Sequence, residues 1–321
     1  MIIDSNRSWV SRWYCLTLLV PSLFLCSFVA APEPVSLTPN SYVRLGKPVP
    51  VLVRHQRWEG DQFPHTLSVV NINRQGFRYW GWYGLNEGRG IGLARSNDLI
   101  QWVKYPQNPL LKNGRWPSVL ANANPHDPGP LYIAYTRDYD TPTSYIVLAF
   151  TRDGVGIKPL KVLVQPVTNQ RNQNPNLFHD PRTGRFYLTW YRGYQPSQIV
   201  SRSAKRVEDL DTATETVLLS SNDTLAAPDL LYVPRQGDLQ TGNGAYFLST
   251  EIHPGEVEWQ TKIFVANTAE GPFVPLGDDP VLRGGRACLF QHIFDNCFYG
   301  YLCREISEDA WALEVVRAPI K

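Results

Sequence analysis

The sequence predicts an all-β fold, a five-bladed β-propeller of four-stranded antiparallel blades. Helix signals are scarce along the 321 residues, whereas alternating aromatic and β-branched runs are frequent and are separated by Gly, Pro and Asn. A short frame with a proline ahead of apolar residues recurs along the chain, and strand-like segments follow each copy in the same order. Such regular self-similarity is typical of a repeat architecture in which each copy is one blade.

The repeated frame predicts the first strand of each blade. Its four clear copies are FPHTL, WPSVL, NPNLF and APDLL, with their prolines at Pro64, Pro117, Pro175 and Pro228. FQHIF at 290–294 is a weaker fifth copy, in which Gln291 replaces the proline. The spacings of the prolines are 53, 58 and 53 residues, which is enough chain for one four-stranded unit.

The other three strands of each blade follow the frame. The second strands are predicted at 78–85, 131–138, 185–193, 245–251 and 298–305. The third strands are predicted at 91–96, 145–151, 198–203, 262–268 and 311–317. The fourth strands of blades one to four are predicted at 108–111, 160–164, 215–220 and 279–282. Residues 47–52 resemble a fourth strand but precede the first repeat, so we expect them to complete blade five. Tandem small β domains are the alternative, but units of this size bury a core poorly when alone.

The first 31 residues have the features of a secretory signal peptide or a signal anchor. Arg7 and Arg12 precede an uncharged run at 14–31. Either interpretation predicts that residues 32–321, a single propeller domain, are secreted, periplasmic or otherwise extracytoplasmic. Membrane contact is then expected only through the uncleaved N-terminal segment. The 31 basic and 29 acidic residues nearly balance, and no basic run is present, which argues against nucleic-acid binding.

Three cysteines, Cys288, Cys297 and Cys303, follow the leader. If Asp295 and Asn296 form a two-residue hairpin turn, counting outward predicts that Cys288 and Cys303 face each other. An exported chain can oxidise such a pair. The wider Cα spacing of a hydrogen-bonded pair suits a disulfide less well, so the count leaves both thiol and disulfide open.

The residue after each proline is predicted to begin the strand that lines the central channel, at one rim. All five of these residues are polar: His65, Ser118, Asn176, Asp229 and His292. Core packing does not explain a polar residue at every copy, so we expect these side chains to form a ligand site. The antiparallel second strand ends at the same rim, which adds Arg192 and Glu251.

Residues 91–111, IGLARSNDLIQWVKYPQNPLL, resemble the strand–turn–strand passage of the five-bladed propeller glycoside hydrolases. These are the arabinanases of glycoside hydrolase family 43 and their levansucrase, invertase and mannoside phosphorylase relatives. The resemblance covers roughly residues 45–320 and implies the propeller fold and a carbohydrate substrate. Arabinanase-like enzymes use Asp on blades one and two and Glu on blade three. His65, Ser118 and Asn174 with Asn176 stand there instead, so the usual catalytic triad is absent.

Three carboxylates are the candidates for catalysis: Asp229, Glu251 and Asp61. Glycoside cleavage needs an acid for the leaving oxygen and a base or nucleophile for the other side of the sugar. Asp229 is the only acid at the five predicted channel positions, and Glu251 is its expected acid partner. Asp61 is expected to reach over the channel from blade one. Structural roles are the alternative: blade-start contacts for Asp229, pairing with Arg192 or Arg304 for Glu251, and loop capping for Asp61.

A second group is expected to bind substrate without transferring protons. Its members are His65, Arg115, Trp116, Ser118, Asn174, Asn176, Trp190, Arg192 and His292. Aromatic faces stack on sugar rings, and Arg, Ser and Asn form hydrogen bonds with hydroxyl groups. The resemblance also assigns His292 to a channel histidine of the last blade. The alternative for Trp190 is a wedge packed between blades.

These observations predict an exported glycoside hydrolase that acts on a poly- or oligosaccharide at the channel mouth by carboxylate acid–base catalysis. A non-catalytic glycan-binding propeller is the main alternative, and a glycoside phosphorylase or transferase is the third. A carbohydrate is the expected partner and the chain is expected to be a monomer. No cofactor or metal site is predicted, and a cation in the channel is left open.

Overall fold

The computed structural model describes residues 46–319 with short gaps. The gaps are 88–89, 122–128, 194–195, 235–243, 256–257, 284–285, 295–296 and 308–309. Only the backbone is described for 286–294, 306–307, 310 and 318–319. The chain divides into two compact units, 1–33 and 34–321, and the described residues all belong to the second. The predicted signal segment lies outside the described residues. In the described part, no helix has the length and apolar character needed to cross a membrane.

The fold is a five-bladed β-propeller, as predicted, with one antiparallel sheet for each blade. Strand β1 (Val49–Val53) comes first in the chain but belongs to blade five. Blade one contains β2 (Pro64–Arg74), β3 (Phe77–Leu85), β4 (Ile91–Ser96) and β5 (Trp102–Lys104). Blade two contains β6 (Arg115–Leu120), β7 (Leu131–Arg137), β8 (Tyr145–Thr151) and β9 (Lys158–Val164). Blade three contains β10 (Asn172–His179), β11 (Phe186–Arg192), β12 (Ser197–Ala204) and β13 (Glu215–Ser221).

Blades four and five complete the ring. Blade four contains β14 (Thr224–Val233), β15 (Ala245–His253), β16 (Gln260–Ala266), β17 (Val274–Pro275) and β18 (Leu282–Arg283). Blade five contains β19 (Arg286–Phe294), β20 (Cys297–Ser307) and β21 (Ala310–Pro319), together with β1. The described residues include two short 3-10 helices, at Arg57–Glu59 and Val207–Asp209.

The two ends of the described chain meet in blade five, which confirms the predicted closure. Strand β1 pairs antiparallel with β21, and Val49 opposes Val315 while Val53 opposes Ala312. Ahead of β1, the Gly46 backbone N–H donates to the Arg317 carbonyl at 2.9 Å. Blade five is therefore completed by ordinary backbone hydrogen bonds between the two ends of the described chain.

The fourth strand of blade one differs from the prediction. It is Trp102–Lys104 and not 108–111, and Leu111 forms only an isolated bridge with Ile91. The reason is the side chain of Asn108, which accepts from the Leu93 N–H at 2.8 Å and donates to its carbonyl at 3.0 Å. An amide side chain thus occupies the place on β4 where a strand would have continued. In blade four, β17 and β18 both pair with β16, so the predicted strand at 279–282 is only part of that edge.

The predicted facing of Cys288 and Cys303 is wrong. Phe294 opposes Cys297, as the turn count requires, but register shifts between Gln291 and Ile293 and between Arg286 and Leu289 change the pairing further out. Cys303 therefore opposes Arg286. Counting from a turn assumes a regular ladder, and each β-bulge adds an extra residue to one strand.

Apolar clusters fill the five seams between neighbouring blades. Between blades one and two, Trp80 and Trp82 pack with Ile133 and Tyr135 and are fully buried. Trp190 occupies the corresponding seam between blades two and three. These aromatic residues are wedges between blades, which was one of the two expectations for Trp190.

Candidate functional site

A bulge marks the start of the first strand in blades two, three and four. The residue before each proline has a positive φ, 59° at Trp116, 54° at Asn174 and 47° at Ala227. The ladder register shifts at the same places. Non-glycine residues adopt this conformation only when the surrounding structure holds them there, and such residues cluster at functional sites. The three bulges lie at one rim of the channel, which we call the mouth.

After the bulges of blades two and three, a side chain binds the backbone of the next blade. Ser118 Oγ accepts from the Leu177 N–H at 2.8 Å, and Asn176 Oδ1 accepts from the Leu230 N–H at 3.1 Å. In blade one the same role belongs to Ser68, whose Oγ accepts from the Val119 N–H at 2.8 Å. We call these contacts the inter-blade latches.

The latches correct the predicted alignment of blade one. His65 follows a proline, but its structural equivalents are not Ser118, Asn176 and Asp229, because Ser68 makes the equivalent contact. The residue before Pro64 also lacks the positive φ found at the other three prolines. The match of LSVV at 67–70 to PSVL at 117–120 is the sequence signal that identifies Ser68.

Asp229 occupies the latch position of blade four and is the candidate site's central group. It is 3% exposed, and its Oδ1 accepts from Asn176 Nδ2 at 2.5 Å. Its Oδ2 is buried and has no hydrogen-bond partner among the described residues. Burial raises the pKa of the Asp229 carboxyl well above its ordinary value. Such a group is neutral at the pH where ordinary carboxylates are charged, and it can donate a proton.

Two further polar residues lie on the same face of blade four as Asp229. Ser249 opposes Asp229 directly, and Glu251 lies two residues further along β15. Ser249 Oγ is also buried without a partner in the described part of the chain. Glu251 is 4% exposed. Two carboxyl groups on one face of neighbouring strands are the kind of pair that glycoside cleavage needs.

Trp116 spans the mouth. Its side chain packs with Ala227 and Tyr139, so it links blade two to blade four past blade three. The His65 ring meets the Trp116 ring edge-on with centroids 5.2 Å apart. Arg115 lies over the Tyr139 ring at 3.8 Å and is 3.9 Å from the Asp140 carboxylate. The structure therefore brings together three of the predicted binding residues, His65, Arg115 and Trp116.

The other predicted binding residues have mainly structural contacts. Ser118 and Asn176 hold the latches described above. The Asn174 backbone N–H donates to Thr136 Oγ1 at 3.1 Å, while its buried Nδ2 has no partner among the described residues. Arg192 pairs with Glu215 at 2.5 Å and Gln198 at 2.8 Å, on the outer side of its blade. Trp190 is 0% exposed and donates to Asn172 Oδ1 at 3.1 Å, which leaves no ring face for a sugar.

Two predicted residues lie apart from this group or outside its description. The Asp61 side chain is fully exposed on the loop before β2 and lies 3.7 Å from Arg54. Asp229 is buried whereas Asp61 is exposed, so the two carboxylates do not lie in one site. His292 is in β19, the first strand of blade five, which neighbours β14 of blade four. Its side chain is outside the described residues. Among the described residues, no group of three or more His, Cys, Asp and Glu side chains has a metal-binding arrangement.

Sequence reasoning missed a buried ion pair between Glu59 and Lys104, which lies in β5, the outer strand of blade one. Their side chains are 2.5 Å apart and almost fully buried, and Glu59 also accepts from the Tyr83 hydroxyl at 2.9 Å. The backbone N–H groups of His55 and Gln56 donate to the other carboxylate oxygen at 2.8 Å. Burial acts to raise the pKa of Glu59, but these hydrogen bonds outweigh it and leave the pKa lowered. A lone Glu and a distant Lys gave no sequence signal of this pair.

No protein-family model matches this chain, and no curated protein matches it in sequence. Solved structures with a similar fold include an endo-arabinase from Bacteroides thetaiotaomicron, with a TM-score of 0.60 at 13% identity over 88% of this chain and 98% of that one. A thermostable family-43 glycoside hydrolase gives 0.60 at 14% identity over 79% and 89%. An N-acetylgalactosamine deacetylase from F. plautii, in complex with blood group B trisaccharide, gives 0.59 at 13% identity over 86% and 94%. These likenesses establish a shared fold, and at that level they confirm the resemblance to propeller glycoside hydrolases.

Proposed function

We propose that this protein is an exported glycoside hydrolase that cleaves a poly- or oligosaccharide at the mouth of the propeller. The observation that carries the proposal is Asp229, a buried carboxyl with a raised pKa and one oxygen without a partner among the described residues. Buried polar groups in native proteins are nearly always hydrogen-bonded, so such an atom points to a bound water or ligand. A perturbed titrating group beside other polar atoms is a candidate catalytic group.

The geometry supports a division of roles on blade four. Asp229, held neutral by burial, donates the proton to the leaving oxygen, which reverses the acid role expected for Glu251. Glu251, on the same face of β15, acts as the base or nucleophile. Asp61 receives no acid–base role, because its fully exposed side chain cannot share the buried site with Asp229.

The mouth supports carbohydrate binding. Tyr139 lies beside the buried Trp116 and is partly exposed, so it supplies aromatic surface there, and Asn174 Nδ2 and Ser249 Oγ supply polar atoms without partners in the described part. Sugars combine apolar ring faces with hydroxyl groups, so a surface of both kinds suits them.

A screen of glycans by product release tests the proposal, with wild type, Asp229→Asn and Glu251→Gln. Each substitution keeps the side-chain shape and should reduce turnover about 10²-fold or more, the scale of a lost general acid or base. Asp180→Asn is the matched control. Asp180 is also buried, but it lies in the β10–β11 turn at the opposite rim and accepts from the Tyr246 hydroxyl at 2.8 Å. Turnover that survives both mouth substitutions, or falls equally in the control, contradicts the catalytic assignment.

A non-catalytic glycan-binding propeller is the second candidate. Two observations favour it: Asp229 is only 3% exposed, and the Trp116 side chain already contacts Ala227 across the mouth. Under this alternative the same screen gives binding by wild type without product, and Asp229→Asn changes affinity alone.

A further inference from the structure

Blade five presents two charged residues, Arg304 and Glu314, to the seam with blade four. Leu302 in β20 and Val316 in β21 pack in the apolar cluster of that seam. Alternate residues of a strand point to the same side. Arg304, two residues after Leu302, and Glu314, two residues before Val316, therefore point into the same seam. Both lie on the mouth side of the apolar cluster, because β20 ends and β21 begins at the mouth.

The facing surface of blade four carries the candidate catalytic groups. Leu231 in β14 and Phe247 in β15 belong to the same apolar cluster. By the same alternation, Asp229, Ser249 and Glu251 point toward blade five. One seam thus has the proposed acid and base on its blade-four side and a guanidinium group on its blade-five side.

Three buried polar atoms in this seam have no hydrogen-bond partner among the described residues. They are Asp229 Oδ2 and Ser249 Oγ from blade four and Glu314 Oε2 from blade five. Buried polar atoms in native proteins are nearly always hydrogen-bonded. Three such atoms that point into one seam from both sides indicate that water or ligand groups bind there.

The charge of Arg304 is weakly compensated and reaches solvent. Its Nε lies 3.7 Å from Glu314 Oε2, beyond hydrogen-bond distance, and its side chain is 43% exposed. Burial raises the pKa of Glu314, although Arg304 acts to lower it, so the neutral carboxyl is favoured. By contrast, Arg192 and Arg202 both pair closely with Glu215, at 2.5 and 2.6 Å.

A guanidinium group of this kind suits an anionic ligand. Its planar fork binds two oxygens of a carboxylate or a similar oxyanion at once, which a neutral sugar does not offer. Glu251, in its proposed role as base, is charged and repels an anion that comes close to it. An anionic group on the ligand is therefore expected beside Arg304, at the exposed end of the seam, and not beside Glu251.

We propose that Arg304 binds a carboxylate or sulfate group of the saccharide, and that the ligand class is therefore an acidic poly- or oligosaccharide. This inference rests on the proposed function, because it takes a saccharide as the ligand of the mouth. It assigns recognition of the substrate to Arg304 and leaves the chemical step to Asp229 and Glu251.

The test compares matched pairs of ligands by calorimetry. Uronate-containing oligosaccharides are used before and after chemical reduction of their carboxyl groups, and sulfated oligosaccharides before and after desulfation. In wild type, the anionic member of one pair should bind about tenfold more tightly than its neutral counterpart, which corresponds to about 1.4 kcal/mol. The pair that shows this preference distinguishes a carboxylate from a sulfate. The preference should shrink as salt is added, because the guanidinium is exposed.

Arg304→Met should remove the preference and leave affinity for the neutral member within about twofold of wild type. Arg304→Lys keeps the charge without the planar fork, so it should retain only part of the preference. Arg283→Met is the matched control. Arg283 is also exposed, and it pairs with Asp279 at 3.5 Å on another strand of blade four, β18. The control removes the same charge and should keep the preference.

The outcomes separate this inference from the proposed function. A preference that persists in Arg304→Met, or that falls equally in Arg283→Met, overturns the role of Arg304 alone. Equal binding of both members of every pair by wild type does the same. Loss of the preference in Arg304→Met, with turnover unchanged in Asp229→Asn and Glu251→Gln, supports Arg304 and overturns the catalytic assignment. Wild type that binds no saccharide overturns both.

Discussion

At the scale of single residues, Asp229 and Glu59 show opposite solutions for a buried carboxyl group. Glu59 receives Lys104, a tyrosine hydroxyl and two backbone N–H groups, so its charged form is favoured despite burial. Asp229 receives one hydrogen bond from Asn176 and keeps an oxygen without a partner in the described part. Burial raises the pKa of both carboxyl groups. The hydrogen bonds of Glu59 outweigh this effect and keep it charged, whereas Asp229 stays neutral.

The raised pKa of Asp229 makes stability depend on pH. The unfolded carboxyl releases its proton above about pH 4, whereas the folded one keeps it. The stabilisation from Asp229 is therefore complete below about pH 4 and is lost as the pH rises through the raised folded pKa. Asp229→Asn removes this dependence, so urea denaturation from pH 4 to 8 should show the variant gaining stability relative to wild type. A constant difference between the two proteins would contradict the assignment.

The Glu59–Lys104 pair predicts a large cost for removing one partner. Lys104→Met leaves a buried carboxylate without its cation and should destabilise the fold by about 3–5 kcal/mol. The double variant Glu59→Met with Lys104→Met should recover part of that loss, because no buried charge remains. Chemical denaturation of both at pH 7 checks this. Because the pKa of Glu59 is lowered in the folded state, wild type should also lose the stabilisation from this carboxylate as the pH falls below about 4.5 and through the folded pKa.

At the scale of elements, the bulged first strands of blades two and three carry both residues of the mouth and the contact with the next blade. The bulge turns the chain before the proline, and the polar residue after it then meets a backbone N–H of the neighbouring strand. A latch side chain thus satisfies a donor that the next blade's own sheet does not use.

The latches predict which buried serines stabilise the fold. Ser118→Ala removes the acceptor of the Leu177 N–H and leaves it buried, so it should cost about 1–3 kcal/mol. Ser201 is equally buried, but its hydroxyl has no partner among the described residues. Ser201→Ala should therefore be close to neutral. Thermal or urea denaturation of the two variants side by side measures the difference, and equal costs would remove the energetic role of the latch.

The sequence was sufficient for elements with a repeated pattern and failed where one contact broke the pattern. The closing strand, predicted at 47–52 and found at 49–53, is identified because it resembles the fourth strands of the other blades. The fourth strand of blade one was misplaced because Asn108 caps β4. His65 was aligned by its proline, although the latch belongs to Ser68. The predicted cysteine pairing was wrong because the two register shifts between β19 and β20 have no mark in the sequence.

At the scale of the whole molecule, the ring depends on pairing between two ends of the chain. Strand β1 covers the edge of β21, which otherwise exposes unpaired backbone groups. A chain of residues 54–321 lacks this strand and should unfold at lower urea concentration than 46–321 and aggregate more readily. Light scattering and urea midpoints of the two chains check this. Equal midpoints would show that closure contributes little.

The pairing of β1 with β21 also constrains the order in which the molecule is made. The first strand is synthesised 266 residues before its partner, since Val49 opposes Val315. Until then, the early strand and the growing edge of the last blade both carry open backbone groups. Contacts this distant in sequence form slowly, because the entropy of closing a long loop is lost before the contacts stabilise the chain. We therefore expect the final closure to limit the folding rate, and the unclosed ring to be the form in greatest need of a chaperone.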